Sequence, residues 1–148
     1  MKYSAAAIFV AAASAAGVDK RSTIYEVSDF SAACIEHSVQ CFYEFGIFQP
    51  GTMQTEPQSC KTMVLSGVDG KLAEVGPWEG KCDQTSKTFS VAQTADGGLK
   101  LTVSAPVSPI SNTTGVYTIP ASDLAMQGAP PSIRQVYTGP KVFNLEFV

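Results

Sequence analysis

The stretch Thr88-Phe89-Ser90-Val91-Ala92-Gln93-Thr94-Ala95-Asp96-Gly97-Gly98-Leu99-Lys100-Leu101-Thr102-Val103-Ser104 decides the fold class. Phe89 and Val91 alternate with Ser90 and Ala92. Asp96-Gly97 then turns the chain, and Leu99, Leu101 and Val103 alternate with Lys100, Thr102 and Ser104. Successive side chains of a strand point to opposite faces. An Asp-Gly pair between two such runs is a strong hairpin signature. The stretch therefore predicts two antiparallel strands with one apolar and one wetted face.

The same reading extends in both directions. Phe143, Leu145 and Phe147 alternate with Asn144 and Glu146, which predicts a half-buried strand at the C-terminus. Val116–Ile119 reads as a short strand ended by Pro120, and Ile133–Tyr137 as another. Ser122-Asp123-Leu124 fits one helical turn or a further strand. Ala105–Thr114, with Pro106 and Pro109, reads as a loop. Toward the N-terminus, Phe42-Tyr43-Glu44-Phe45-Gly46-Ile47-Phe48 is aromatic on both faces and predicts a strand covered on both sides. Gly46 inside it points to a bulge or a sharp bend. Cys60–Leu65 is a third strand, and Ile24–Phe30 a first one ending in a Ser31-Ala32-Ala33 loop. No segment holds a helical period for three turns. Short strands between Gly, Pro and Asp turns predict an all-β fold, a small antiparallel barrel or sandwich.

All four cysteines, Cys34, Cys41, Cys60 and Cys82, lie in one third of the chain. Two bridges are expected, with three possible pairings. The spacing favours Cys34–Cys41, across a loop between neighbouring strands, and Cys60–Cys82, which would tie the loop-rich middle to the barrel wall. A metal site would need CxxC spacing or several histidines, and His37 is the only histidine. Neither a metal nor any other cofactor is expected.

The N-terminus reads as an export signal over residues 1–16. Met1-Lys2 is a short positive segment, Ala5–Ala13 is apolar, and Ala13-Ser14-Ala15 is a small-x-small cleavage site. The apolar run is too short to cross a bilayer, which takes about 20 residues. Lys20-Arg21 marks the end of a short pro-segment, with a single domain over residues 22–148. Loss of residues 1–21 removes three bases and one acid, so the net charge moves from −3 to −5. An acidic chain has no footprint for nucleic acid or for anionic lipid. A secreted, extracellular monomer is expected. Asn112-Thr113-Thr114 is a glycosylation sequon, which makes Asn112 a candidate modification site.

Catalytic chemistry is sparse. His37 has Glu36 and Ser38 beside it, but a catalytic triad is assembled in space and no GxSxG elbow accompanies it. Two carboxylates facing each other about 5 to 10 Å apart could hydrolyse a glycoside, and Glu44 or Glu26 with surface aromatics could serve a carbohydrate-active or cell-wall-binding protein. Trp78, Tyr25, Tyr43, Tyr117 and Tyr137 could stack sugar rings. A barrel mouth could also carry an apolar ligand.

Five segments together resemble one known group. They are Tyr25–Ala32, Cys34–Cys41, Gln49–Met53, Thr88–Val91 and Tyr137–Lys141, set in the four-cysteine frame. They are similar to the small secreted hypersensitive-response-inducing proteins of filamentous fungi, over a span from about Tyr25 to the C-terminus. The resemblance implies a β-barrel like the AA1-like fungal allergens. It also implies a virulence effector or elicitor that binds a plant surface or apoplast component and provokes localised cell death. It supplies no catalytic residue. The alanine-rich leader and the Trp78 region depart from it.

Overall fold

The structure is a computed structural model that describes residues 23–83, 85–130 and 132–148, apart from the side chains of Val68 and Trp78. The expected signal (1–16) and pro-segment (to 21) lie outside the described residues. Ten strands are described: β1 (Thr23–Cys34), β2 (Gln40–Phe48), β3 (Gln58–Leu65), β4 (Val75–Cys82), β5 (Thr88–Gln93), β6 (Leu99–Ser108), β7 (Ser111–Ile119), β8 (Leu124–Gln127), β9 (Arg134–Tyr137) and β10 (Phe143–Phe147). β1 to β7 follow one another as an antiparallel meander, and β10 pairs with both β7 and β1. The result is a closed eight-stranded barrel, which resolves the choice between barrel and sandwich. The β8–β9 hairpin docks beside β1 through the pair Ala33↔Val136.

β1 is longer than its sequence pattern predicts, because a bulge conceals its continuation. Ser28 lies opposite Gly46 and Ser31 opposite Glu44, so β1 carries one extra residue there. Asp29 takes the left-handed conformation, φ 52°, which Asp tolerates better than most residues. The bulge shifts the inward set by one: Tyr25 and Val27 point inward before it, Phe30, Ala32 and Cys34 after it. Gly46 is not the bulge but its partner. A Cβ on Gly46 would stand 2.8 Å from Ser28 Oγ and 3.0 Å from Pro57 Cβ, so the close approach at this corner requires glycine.

Aromatic rings fill the barrel interior. Phe30 packs on Phe45, Phe143 and Tyr137 at centroid distances of 5.7, 5.4 and 4.8 Å, and Phe45 meets Phe89 at 5.0 Å. The outer face of β2 departs from expectation: Phe42 and Phe48 are only half-buried and Glu44 is exposed, since nothing among the described residues covers this wall fully. One mouth of the barrel is closed by the connection at 66–74. Leu72 is completely buried there. Its N–H donates to Gln135 Oε1 (2.9 Å), and its carbonyl accepts from Gln93 Nε2 (3.3 Å). Tyr43 donates its hydroxyl to Ala73 O at 2.6 Å.

The Asp-Gly hairpin is present with Gln93 opposite Leu99, its five-residue turn carrying Gly97 at φ 93°. The 105–114 region is not a loop. β6 and β7 continue through it as a long arm, with Pro106 opposite Asn112. Pro106 lacks an N–H, yet the arm tolerates it. Ser122 and Asp123 lie in a 3-10 turn, Ala121–Asp123, followed directly by β8, so both readings of that segment hold in succession.

Both bridges form as the spacing favours, Cys34–Cys41 across β1–β2 and Cys60–Cys82 across β3–β4. Each joins residues directly opposite one another, with Cα atoms 3.7 and 3.9 Å apart. Hydrogen bonds flank each bridge: Ile35 N–H to Gln40 O (2.8 Å) and Asp83 N–H to Ser59 O (2.7 Å). The cysteines thus occupy the intervening positions of the ladder, where strands approach most closely. In the loop-entropy account the two closures contribute about 2.5 and 3.4 kcal/mol. Replacing Cys60 and Cys82 by Ser should therefore lower Tm more than replacing Cys34 and Cys41. Thermal unfolding of the two double variants checks the order, and an inverted order would refute it.

A second prediction concerns pH. Burial pushes the Tyr43 phenol far above its ordinary value of 10.0, and the Glu74 carboxylate adds to the rise. The folded state keeps the proton where the unfolded chain loses it, so this contribution is intact below pH 10 and declines above it. Urea midpoints measured from pH 9 to 11.5 should fall. Tyr43→Phe should flatten the fall by up to about 1.4 kcal/mol per pH unit. A variant that falls as steeply as the parent would rule Tyr43 out as the cause.

Candidate functional site

The end of the barrel closed by Leu72 also carries a groove of about 520 Å³ assembled from three separate segments. The β1–β2 loop supplies Glu36, His37 and Val39. The start of the plug connection supplies Ser66 and Gly70. The β8–β9 turn and the first residue of β9 supply Ser132, Ile133 and Arg134. The parts are tied together by backbone. Ser66 N–H donates to Val39 O at 2.7 Å. Gly70, at φ 74°, packs so closely that an added Cβ would lie 2.2 Å from Ile133 O. His37 and Asp69 both hold φ 59° without being glycine, and such strained residues persist only where the surroundings fix them.

His37 stands at the tip of the bridged loop. Its Nε2 lies 3.5 Å from Glu36 Oε2, and its Nδ1 lies 3.1 Å from Ser132 Oγ. A carboxylate, an imidazole and a hydroxyl follow one another in space, as in a nucleophilic relay. The side chains of His37 and Glu36 are 75% and 56% exposed. Water competes for both, which leaves the contact to Ser132 as a tether between the β1–β2 and β8–β9 loops. Ser38, the neighbour in sequence, instead accepts a hydrogen bond from Gln40 N–H at 3.1 Å. The rim of this end is apolar: Val39 is 68%, Leu65 67% and Ile133 40% exposed.

Compared with known proteins, the chain matches no family model, no curated protein and no solved structure.

The other candidates are dispersed. Glu26 and Glu44 both lie on the outer wall, Glu26 opposite Phe48 and Glu44 opposite Ser31. Those two positions are four residues apart on β2, roughly 13 Å along a strand. Tyr25 and Tyr43 are wholly buried in the core. Tyr117 stacks on Phe143 at 3.9 Å, and Tyr137 donates its hydroxyl to Pro140 O. The Trp78 side chain lies outside what is described, and with it the expectation that it stacks on a sugar ring. The aromatic cluster around Phe30 fills its part of the barrel interior. All four cysteines are bridged. Among the described residues, no group of three or more His, Cys, Asp or Glu gathers at one place. Asn112 is exposed on the β6–β7 arm, at the opposite end from the groove, so a glycan there would leave the groove open.

Ser132 and Arg134 carry no local motif and were not singled out in the sequence. Their one signal is composition: Arg134 is the only arginine after Arg21.

The groove depends on Gly70. Gly70→Ala should cost about 1–3 kcal/mol, the range of an overpacked site, and should displace residues 132–134. Chemical denaturation measures the first and amide chemical shifts the second. A loss below about 0.5 kcal/mol, the usual range of a neutral surface change, would overturn this packing.

Proposed function

We propose that the chain is a secreted effector or elicitor of the hypersensitive-response-inducing type, a non-enzymatic binding module whose partner is a plant surface or apoplast component. The observation that carries the reading is the three-segment groove with its exposed apolar rim, Val39, Leu65 and Ile133, on a rigid barrel. Exposed apolar groups held on a scaffold mark interaction sites. Loops positioned by a rigid body are where binding residues concentrate. Two disulfides agree with an extracellular location, and among the described residues no helix is long and apolar enough to cross a membrane. The sequence resemblance supplies the plant host and the response. Recombinant disulfide-bonded protein infiltrated into leaves of a susceptible host should provoke necrosis or an oxidative burst at micromolar dose. A Val39→Asp/Ile133→Asp variant with unchanged Tm should need at least tenfold more protein. No response to the parent protein, or an undiminished response to the variant, would refute the proposal or its location.

A further inference from the structure

Arg134 lies on the groove wall, where β9 leaves the turn. Its Nε is buried and has no hydrogen-bond partner. Among the described residues no carboxylate pairs with its guanidinium. Glu36, the carboxylate of this end, lies 3.5 Å from His37 Nε2 instead. The amide of Gln135 beside it is already engaged with Leu72 N–H. A buried donor left unpaired costs about 1–3 kcal/mol, and more when it belongs to a charged group. Sealed from solvent, the Nε itself cannot be reached from the groove; the donors a groove ligand meets are the terminal nitrogens of the same guanidinium, which no described residue pairs.

We infer that the groove binds the free C-terminal carboxylate of a peptide whose last side chain is apolar, with Arg134 as anchor. This rests on the binding-module reading above and names the chemistry of the partner. The guanidinium is a rigid fork of donors that matches a planar carboxylate through two parallel hydrogen bonds. Val39 and Ile133, exposed on the groove wall, offer an apolar surface to the adjoining side chain. The volume of about 520 Å³ falls within the usual range of small-ligand sites. Glu36 in the same groove, on a chain of net charge −3, disfavours a dianion such as phosphate. A singly charged carboxylate meets the least repulsion.

The test is an amide-resolved NMR titration of the secreted, disulfide-bonded protein with N-acetyl-leucine, N-acetyl-leucinamide, acetate and inorganic phosphate. N-acetyl-leucine should shift the amides of residues 34–39, 66–70 and 132–134. The uncharged amide and acetate should each bind at least tenfold more weakly, since each lacks one half of the recognition. Arg134→Gln should abolish the shifts, and Arg134→Lys, which keeps the charge but not the fork, should weaken binding several-fold. Glu36→Gln should strengthen it. Arg134→Met should melt at or above the parent temperature, because it removes an orphan donor. Equal binding of acid and amide, tighter binding of phosphate, unchanged binding by Arg134→Gln, or no binding at millimolar ligand would each overturn the inference. The leaf assay separates the two readings. If Arg134→Gln is still necrotic, only the carboxylate inference falls. If the parent binds N-acetyl-leucine but leaves do not respond, only the elicitor reading falls.

Discussion

Between β3 and β4 the wall of the barrel is stitched by two residue pairs, Cys60 with Cys82 and Lys61 with Lys81. One of those pairs sets two like charges opposite each other, which weakens a ladder. Beyond them β4 leaves the wall. Val75 and Gly80 are five residues apart on β4, while their partners Val91 and Phe89 are two apart on β5. Gly76-Pro77-Trp78-Glu79 thus stand against the single residue Ser90, three in excess; Pro77 has no N–H to give, and Glu79 turns back to accept from Gly76 N–H at 3.0 Å. A barrel removes sheet edges only if it closes. Here closure is covalent at a seam only two pairs long, and the Cys60–Cys82 bond stands at that seam.

The interior imposes the second constraint. A strand shifted by one residue turns its apolar set outward, and β1 would do so halfway along its length without the extra residue at Asp29. The bulge lets the first half serve the β10 side with Tyr25 and Val27, and the second half deliver Phe30 to the centre of the aromatic cluster. Phe30 N–H also donates to Lys141 O at 3.0 Å, which draws the segment before β10 onto the bulge. The β7–β10 seam is as short as the other, with two pairs, Glu146↔Val116 and Phe147↔Gly115. No bridge crosses it. The stacked rings of Tyr117 and Phe143 stand there instead, so side-chain packing takes the place that a disulfide holds at β3–β4.

What was legible in the sequence was whatever the backbone period states locally. The Asp-Gly hairpin, the C-terminal strand and the bridge pairing each depend on neighbours in the chain, and each was readable from a few residues. What was hidden was whatever interrupts the period or acts at a distance. Tyr25, Val27 and then Phe30 do not alternate, so β1 seemed to stop where it bulges. Pro106 and Pro109 made the β6–β7 arm look irregular, although a projecting hairpin is free to carry prolines. Leu72 is one apolar residue between Lys71 and Ala73, and nothing local shows that it plugs a barrel. His37 could be noticed, but Ser132, which meets its Nδ1, comes from 95 positions away. It arrives because β9 adds to β1 through a single pair, and no pattern within either strand encodes that docking.

The two disulfides therefore have different work. Cys34–Cys41 ends a ladder that already runs from Glu26↔Phe48, bulge included, so the barrel wall does not depend on it. Its loop is the one that holds His37 at φ 59° against Ser132 and faces Val39 toward Ser66. A loop of five residues with a strained tip would relax if its base could open, and the bridge lies directly at that base. One bond closes the barrel; the other fixes the shape of the groove. The groove end accordingly holds two of the three non-glycine residues at positive φ, His37 and Asp69, while the arm bearing Asn112 projects from the opposite end. The same end keeps Arg134 on β9 close to the plug, since Gly70 packs against the backbone of Ile133 and Arg134.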